Sequence, residues 1–270
     1  MVLKGYAHIF SAVITFVLIF VYLRYIEKKS LFYPENEIVY TPEASGMRYN
    51  EVNFETSDGY MLNGWLIIQP AAKYTVLFAH GNAGNISHRI EKLKFFKQIG
   101  CNVFIFDYRG YGRSQGRPSE KGLYLDAGAA YEYLVAQGIT ANTIIGYGES
   151  LGGAVIIDAA SKNTMAALIV DSSFSSAKDM IKAIYPFLPH WIFASKFYSS
   201  WKIKNINIPK LIIHSINDEI IPYRLGRKLY DEAAPPKEFL DIRGGHNSNF
   251  FESEDILKER ISAFLKGLPQ

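Results

Sequence analysis

Apolar runs rich in β-branched and aromatic residues alternate with helix-like segments through most of this chain, and this alternation constrains the fold more than any other feature. The runs are YTVLFA, NVFIFD, TIIGYG, ALIVD and KLIIHS. The segments between them, such as EKGLYLDAGAAYEYLVAQG, have helical periodicity. Strands that are apolar throughout are buried on both faces, and helices that connect successive strands make them parallel. The pattern predicts an α/β fold with a mostly parallel sheet and helices on both faces.

A hairpin is predicted ahead of this alternation. Residues 49–56 and 60–69 are alternating or apolar runs, and the sequence SDG between them is a hairpin turn signature. With 270 residues, 49% of them apolar, the chain can bury one sizeable core. We therefore expect a single folded domain over residues 49–270. Residues 26–48, which contain two prolines, are predicted to be the linker before it.

An uncharged stretch of 19 residues near the amino end predicts a membrane anchor. It reads GYAHIFSAVITFVLIFVYL, close to the roughly 20 residues that a helix needs to cross the hydrocarbon layer. Aromatic and basic residues lie near its ends, where the headgroup level favours them: Lys4, Tyr6, Tyr22, Arg24, Tyr25, Lys28 and Lys29. A cleaved secretory signal is the alternative, but RYIEKK stands where a small-residue cleavage pattern would be needed. We expect a transmembrane anchor over residues 5–25.

Composition and charge bear on the partners of the domain. One basic residue precedes the apolar stretch and three follow it closely, so the positive-inside rule favours a cytoplasmic domain, although other determinants can override so small a bias. The net charge is only +3 and the basic residues are scattered, so nucleic acid is not an expected partner. The six histidines are dispersed and no C-x-x-C or H-E-x-x-H motif occurs, so no metal or other cofactor is expected. Cys101, the single cysteine, begins an apolar run and is predicted to be buried.

The sequence GESLG at residues 148–152 lies between the strand TIIGY and a helix-like segment. This strand, turn and helix setting is typical of a nucleophile elbow, in which a sharp turn strains the serine backbone. The glycines leave room where strand and helix pack closely. The first N–H groups of the following helix can bind a developing negative charge. The motif predicts Ser150 as a nucleophile.

A serine hydroxyl needs a neighbouring base, and the base needs an acid that orients it. His246 follows the strand EFLDI, and Asp218 follows the strand KLIIHS. Because the carboxyl ends of parallel strands meet at one edge of a sheet, these residues and Ser150 are expected to meet there. The order serine, aspartate, histidine along the chain agrees with such an elbow. Glu219 is the rival acid, and Asp218 is preferred.

The loop HGNAGN, which follows the strand YTVLFA, predicts the second half of an oxyanion hole. Its small residues let the backbone approach a substrate, so the N–H of Asn82 would join that of Leu151 in binding the oxyanion. His80 and His214 follow apolar strands and are expected to fix loops by hydrogen bonding rather than to transfer protons. Glu149 is expected to point away from the site.

One segment breaks the strand and helix alternation. Residues 174–205 are rich in aromatic residues and contain Pro186 and Pro189, which an ordinary crossover helix would exclude. We predict a small cap of broken helices over the site. An ordinary helix followed by a loop is the alternative.

Several long stretches resemble the membrane-anchored α/β-hydrolase-domain proteins, the Bem-like and ABHD-type serine hydrolases. These stretches are LFYPE, HGNAGN followed by SHR, DYRGYGRSQGRPSEKGLYLDA, GESLGGAV, NDEIIP and GGHN. The resemblance implies an α/β-hydrolase catalytic domain with an eight-stranded, mostly parallel sheet. It implies that the triad of the family corresponds to Ser150, His246 and Asp218, and that carboxylic esters or thioesters are hydrolysed.

Together, the motifs and the resemblance predict a membrane-anchored serine hydrolase that works through an acyl-enzyme and needs no cofactor. The anchor and the aromatic cap extend this prediction to a lipid or acyl-chain substrate that reaches the site from the bilayer. Two alternatives stay open: an amidase or peptidase with the same triad, and a binding protein that keeps the fold without turnover.

Overall fold

The structure is a computed structural model that describes residues 2–187, 189 and 193–269. Its strands are β1 (Tyr33–Pro34), β2 (Asn50–Glu55), β3 (Met61–Ile67), β4 (Thr75–Ala79), β5 (Ala83–Gly84), β6 (Asn102–Phe106), β7 (Ile144–Glu149), β8 (Ala167–Asp171), β9 (Lys210–Ser215) and β10 (Lys237–Ile242). Its helices are α1 (Val2–Leu31), α2 (Ile90–Gln98), α3 (Glu120–Ala136), α4 (Leu151–Ala160), α5 (Ala177–Ile184), α6 (Ser199–Ile203), α7 (Tyr223–Glu232), α8 (Asn249–Glu252) and α9 (Glu254–Lys266). The predicted alternation of strands and helices is confirmed.

Eight strands form one sheet in the order β10-β9-β8-β7-β4-β6-β3-β2. From β10 to β6 each neighbouring pair is parallel, whereas β3 and β2 join the sheet antiparallel. The turn between β2 and β3 contains the predicted SDG signature. The prediction of a mostly parallel, eight-stranded sheet is confirmed.

Apolar layers cover both faces of the sheet, because successive residues of a strand point to opposite sides. Leu77 of β4 packs in the layer formed with α3, α4 and α7, and the next residue, Phe78, packs in the layer formed with α2 and α9. Every residue of α4 is buried, which fixes the helix that follows the predicted elbow. Cys101 is buried and free, as its position in the sequence predicts.

The carboxyl ends of the central strands lie at one edge of the sheet. In the register, Glu149 at the end of β7 is aligned with Asp171 of β8, and Asp171 is aligned with Ile213 of β9. Ser215 at the end of β9 is aligned with Ile242 at the end of β10. The turns that carry the predicted triad therefore leave the sheet from a common edge.

The amino-terminal helix continues directly into the domain. Its segment Phe10–Leu31 has 22 residues and a mean hydropathy of 1.8, and its apolar side chains, such as Phe16 and Leu18, are largely exposed. Immediately after α1, Phe32 is buried in the core and β1 pairs with β5 in parallel. The beginning of the predicted linker is thus packed against the loop that follows β4.

Two short helices occupy the segment in which the cap is predicted. Helix α5 ends at Ile184, before Pro186, and α6 begins only at Ser199. Leu188 and residues 190–192 lie outside the described residues. Two separate short helices agree with the predicted broken helices better than with one crossover helix. The extent of a separate cap stays a prediction.

Candidate active site

Ser150 stands at the sharp turn between β7 and α4. Its backbone has φ 51° and ψ −119°, a conformation that costs a non-glycine residue on the order of 1–3 kcal/mol. The Ser150 N–H donates to the carbonyl of Asp171 at 2.9 Å, which anchors the turn to β8. A Cβ atom on Gly148 would lie 2.3 Å from the carbonyl oxygen of Gly152, and one on Gly152 would lie 2.0 Å from that of Ala79. The close packing therefore requires glycine on both sides of the serine.

The three residues of the predicted triad lie within hydrogen-bonding distance of one another. The distance from His246 Nε2 to Ser150 Oγ is 3.1 Å, and that from His246 Nδ1 to Asp218 Oδ2 is 2.7 Å. The Asp218 side chain is fully buried, and the imidazole is largely so. A proton on Nδ1 is held toward the carboxylate, which leaves the Nε2 lone pair directed at the hydroxyl.

The two acidic residues of the turn after β9 have different partners. Asp218 Oδ1 accepts the N–H groups of Ile220 at 3.0 Å and Ile221 at 2.7 Å, which leaves Oδ2 for the imidazole. Glu219 Oε2 accepts the backbone N–H of His246 at 2.9 Å. Asp218 therefore contacts the ring of the histidine, whereas the rival acid holds only its main chain.

Asn82 and Leu151 line the cavity beside Ser150. Among the described residues, the backbone N–H of neither has a hydrogen-bond acceptor. The carbonyl of Asn82 accepts the hydroxyl of Tyr111 at 2.8 Å and the N–H of Tyr33 at 3.0 Å. This arrangement can donate two hydrogen bonds to an oxygen that becomes negatively charged above Ser150.

A cavity of about 680 Å³ opens over these residues. Its size lies within the range of small-molecule sites. Side chains of the cap segment give it an apolar wall: Phe174, Met180, Ile181, Ile184 and Phe197. The end of α1 and the start of the linker contribute Glu27, Ser30, Leu31 and Tyr33. The site is therefore amphipathic and lies against the end of the amino-terminal helix.

The other histidines singled out in the sequence contact loops. The buried His80 ring faces the carbonyl of Gly81 through Nδ1 at 2.7 Å and packs against Tyr108 at 4.4 Å between ring centroids. His214 Nε2 faces the carbonyl of Ile221 at 2.9 Å, and burial lowers the pKa of His214. Since a carbonyl oxygen only accepts hydrogen bonds, each of these nitrogens carries the proton. Both rings fix loops, as expected.

Glu149 does not point away from the site, and that expectation is wrong. Its side chain lines the cavity and is ion-paired with Arg89 and Lys92. Burial acts to raise the pKa of Glu149, but Lys92 and Arg89 outweigh it and hold this pKa well below its usual range. The two basic residues lie three positions apart around the start of α2, so they share one helical face. The three-residue spacing of Arg89 and Lys92, shortly after the HGNAGN loop, is the sequence feature that could have indicated this pair of cations.

The comparisons with known proteins agree with this geometry. The sequence model of the family described as serine aminopeptidase, S33 (Hydrolase_4), matches residues 70–205. Protein bem46 of Schizosaccharomyces pombe is 39% identical over 212 residues, which cover 72% of this chain and 71% of that protein. The chain belongs to the α/β-hydrolase family. The α/β-hydrolase domain-containing protein WAV2 of Arabidopsis thaliana is 33% identical over 84% of this hydrolase and 81% of its own length.

Solved structures of other α/β hydrolases have the same fold as this hydrolase. The Pyrococcus furiosus esterase Pf2001 has a TM-score of 0.72 at 23% identity, over 87% of this chain and 99% of that one. An α/β hydrolase from Vibrio vulnificus has a TM-score of 0.74 at 22% identity, over 90% and 93% of the two chains. At such identities the likeness concerns the fold. The predicted family and fold are therefore confirmed.

Proposed function

We propose that this hydrolase cleaves carboxylic esters or thioesters through an acyl-enzyme formed on Ser150. The observation that carries the proposal is the chain of contacts from Asp218 through His246 to the strained elbow serine. In the first step Ser150 Oγ attacks the acyl carbon while His246 Nε2 accepts the hydroxyl proton. The carbonyl oxygen becomes an oxyanion and binds the N–H groups of Asn82 and Leu151.

The second half of the reaction reuses these groups. When the tetrahedral intermediate collapses, the bond to the alcohol or thiol breaks and His246 gives its proton to that leaving group. Water then attacks the acyl-enzyme, and His246 accepts its proton. The carboxylic acid is released as the proton returns to Ser150. Asp218 stays ionised and stabilises the imidazolium in both halves.

Labelling with a fluorophosphonate probe tests this assignment. We expect the wild-type chain and Ser161→Ala to be labelled at equal rates, and Ser150→Ala not to be labelled. Ser161 is the matched control because its hydroxyl donates to the carbonyl of Asp158 at the far end of α4, away from the cavity. Labelling that survives Ser150→Ala would contradict the proposal. A folded wild-type chain that is never labelled would favour the binding-protein alternative.

The cavity supports an acyl-chain or lipid substrate. Its apolar wall can bury a hydrocarbon chain, and Ser30 and Leu31 of α1 form part of its lining. The uncharged stretch ends at Leu23, and the eight residues from there to Leu31 extend about 12 Å along a helix. If α1 spans the bilayer, the cavity opens near the headgroup level. Rates on esters of increasing chain length test this proposal, and a preference for the shortest acyl groups would contradict it.

We propose that α1 is a retained transmembrane anchor rather than a cleaved signal. The Glu27 carboxylate accepts the backbone N–H groups of Ala194 at 2.8 Å and Ser195 at 2.7 Å. Cleavage after the apolar stretch would remove the part of α1 that precedes Glu27 and leave this contact close to a new chain end. We expect the mature chain to keep its amino terminus and to resist carbonate extraction. Protease protection on sealed vesicles tests the proposed cytoplasmic side and is contradicted if the domain is digested only from the opposite side.

The family name raises peptidase activity as a second candidate. An aminopeptidase needs an anionic group for the substrate amine. The described carboxylates of the lining already have donors or cationic partners: Glu27, Glu91, Glu149 and Asp171. This pairing favours an ester or thioester substrate. Rates on an ester and an amide with the same acyl group separate the candidates, and faster cleavage of the amide would favour the peptidase.

A further inference from the structure

We infer that Glu149, held by Arg89 and Lys92, is a positioning residue for the oxyanion loop. The loop is the segment His80–Asn85 between β4 and the turn before α2. The inference rests on the proposed function, because it concerns the donor that Asn82 supplies to the oxyanion. It assigns a role to the residue directly before the elbow serine.

Charged side chains bind backbone groups of the two residues that flank Asn82. Glu149 Oε1 accepts the N–H of Gly81, the preceding residue, at 3.2 Å. Arg89 Nη2 donates to the carbonyl of Ala83, the following residue, at 2.9 Å. Arg89 also donates to Glu149 through Nε. The ion pair between Glu149 and Arg89 therefore connects β7 to the residues on both sides of Asn82.

The direction of the Asn82 N–H follows from the planarity of the peptide bond. This N–H shares its peptide plane with the carbonyl of Gly81, and in a trans peptide the two point in opposite directions. The Gly81 carbonyl is bound to His80 Nδ1 at 2.7 Å. Rotation of this plane would break that contact, and Glu149 holds the preceding peptide plane through the N–H of Gly81. By holding Gly81, the Glu149 contact helps to fix the orientation of the proposed Asn82 donor.

The charge balance of the cluster argues against a substrate-anion site. Lys92 contacts Glu149 and also lies 3.4 Å from Asp171 Oδ2, while Arg89 contacts Glu149. Two cations thus face two carboxylates. Burial acts to lower the pKa of Lys92, but Glu149 and Asp171 outweigh it and raise this pKa, so the lysine stays charged. The cluster is neutral as a whole, which suits a structural clamp better than a subsite for phosphate.

Loss of Glu149 is expected to slow the chemical step. Removal of one oxyanion donor in comparable sites costs on the order of a hundredfold to a thousandfold in kcat. Glu149→Ala keeps the donor but frees its loop, so we expect kcat to fall about 10-fold to 100-fold while KM changes less than about 3-fold. Glu149→Gln keeps an acceptor oxygen for Gly81 but loses its charge, so its kcat should fall less, about 5-fold to 10-fold.

The experiment compares turnover with binding of a tetrahedral mimic. We would measure kcat and KM on a chromogenic ester, and the inhibition constant of a trifluoromethyl ketone that forms a tetrahedral adduct with the serine. For the Glu149 variants the inhibition constant should rise in parallel with the loss of kcat. Asp158→Asn is the matched control, because Asp158 is a buried acid on α4 that pairs with Lys162 and Lys202, away from the loop. Its kcat and inhibition constant should stay within about 2-fold of wild type.

The outcomes separate this inference from the proposed function. The inference would be overturned if the Glu149 variants fold, are labelled at Ser150 and keep the wild-type kcat and inhibition constant. The assignment of the triad would then be unaffected. A loss equal to that of Asp158→Asn would also overturn it, because a general loss of stability would then explain both. Failure of Ser150-dependent labelling in the wild type would instead defeat the proposed function. If Glu149→Ala does not fold, Glu149→Gln and Arg89→Met give the same comparison.

Discussion

The two walls of the cavity are built differently. On the wall formed by the sheet edge, the side chains of His246 and Asp218 are largely buried, and α4 behind the elbow is buried along its whole length. On the wall formed by the cap, no residue of α5 is buried, and Phe187 after it is 96% exposed. Two carboxylates outside the cap, Glu27 and Glu120, accept backbone N–H groups of the cap segment.

Under the proposed function, this difference would separate the chemistry from the binding of the acyl group. A catalytic constellation needs its groups fixed within about half an ångström, which buried elements and several contacts per group provide. A helix without buried residues, such as α5, moves at a low free-energy cost and can adapt to chains of different length. We therefore expect substitutions in the sheet-edge wall to change kcat, and substitutions in the cap to change KM and chain-length preference.

The largest effect should come from the acid of the triad. Asp218→Asn removes the carboxylate that selects the histidine tautomer, and we expect kcat to fall about 10⁴-fold. Glu219→Gln keeps an acceptor for the His246 N–H and should lower kcat less than about 10-fold. Steady-state kinetics on one chromogenic ester measure both. Equal losses in the two variants would mean that the geometry around His246 does not select the acid.

A smaller effect is expected when the cap is loosened. Glu120 of α3 accepts the backbone N–H groups of Lys196 at 2.6 Å and Phe197 at 2.7 Å. Glu120→Gln loses the charge that strengthens both bonds, so KM for a long-chain ester should rise about 10-fold while kcat for a short ester stays near wild type. Glu132→Gln, on the exposed face of the same helix, is the control and should change neither constant. A fall in kcat on both esters would show that the cap also positions the catalytic groups.

The apolar wall itself should set chain-length preference. Met180 lines the cavity from α5, and Met180→Ala removes the contacts of about one to two methylene-sized groups with a long acyl chain. At about 0.8 kcal/mol for each buried methylene, the ratio of kcat/KM for long and short esters should fall about 4-fold to 15-fold. Lys182→Ala, on the exposed side of α5, should leave the ratio unchanged. An unchanged ratio in Met180→Ala would place the acyl chain elsewhere in the cavity.

The positions of the strands and side chains that form the sheet-edge wall could largely be predicted from the sequence. Periodicity and turn residues locate β7, β9 and β10, and parallel pairing then brings Ser150, Asp218 and His246 to one edge. The orientation of Glu149 was predicted wrongly, because the spacing of Arg89 and Lys92 shows only that they share a helical face, and the folded chain alone brings them to a residue about sixty positions later. The pairing of β1 with β5 could not be predicted, for another reason. A strand of two residues, such as Tyr33–Pro34, has no measurable periodicity.

The smallest effect tests whether the sheet-edge wall is held by charge. The pKa of Glu149 lies below its ordinary value of 4.5 in the folded chain, because Lys92 and Arg89 outweigh the effect of burial. A depressed pKa adds stability above the unfolded-state pKa, and this stability is lost as the pH falls through the folded-state pKa. The urea midpoint of Glu149→Gln should therefore lie below that of the wild type at pH 7, and the gap should narrow below about pH 4.5. Ser161→Ala removes no titrating group, so its difference from wild type should not vary with pH. A gap for Glu149→Gln that is equally independent of pH would mean that shape, and not charge, holds the loop.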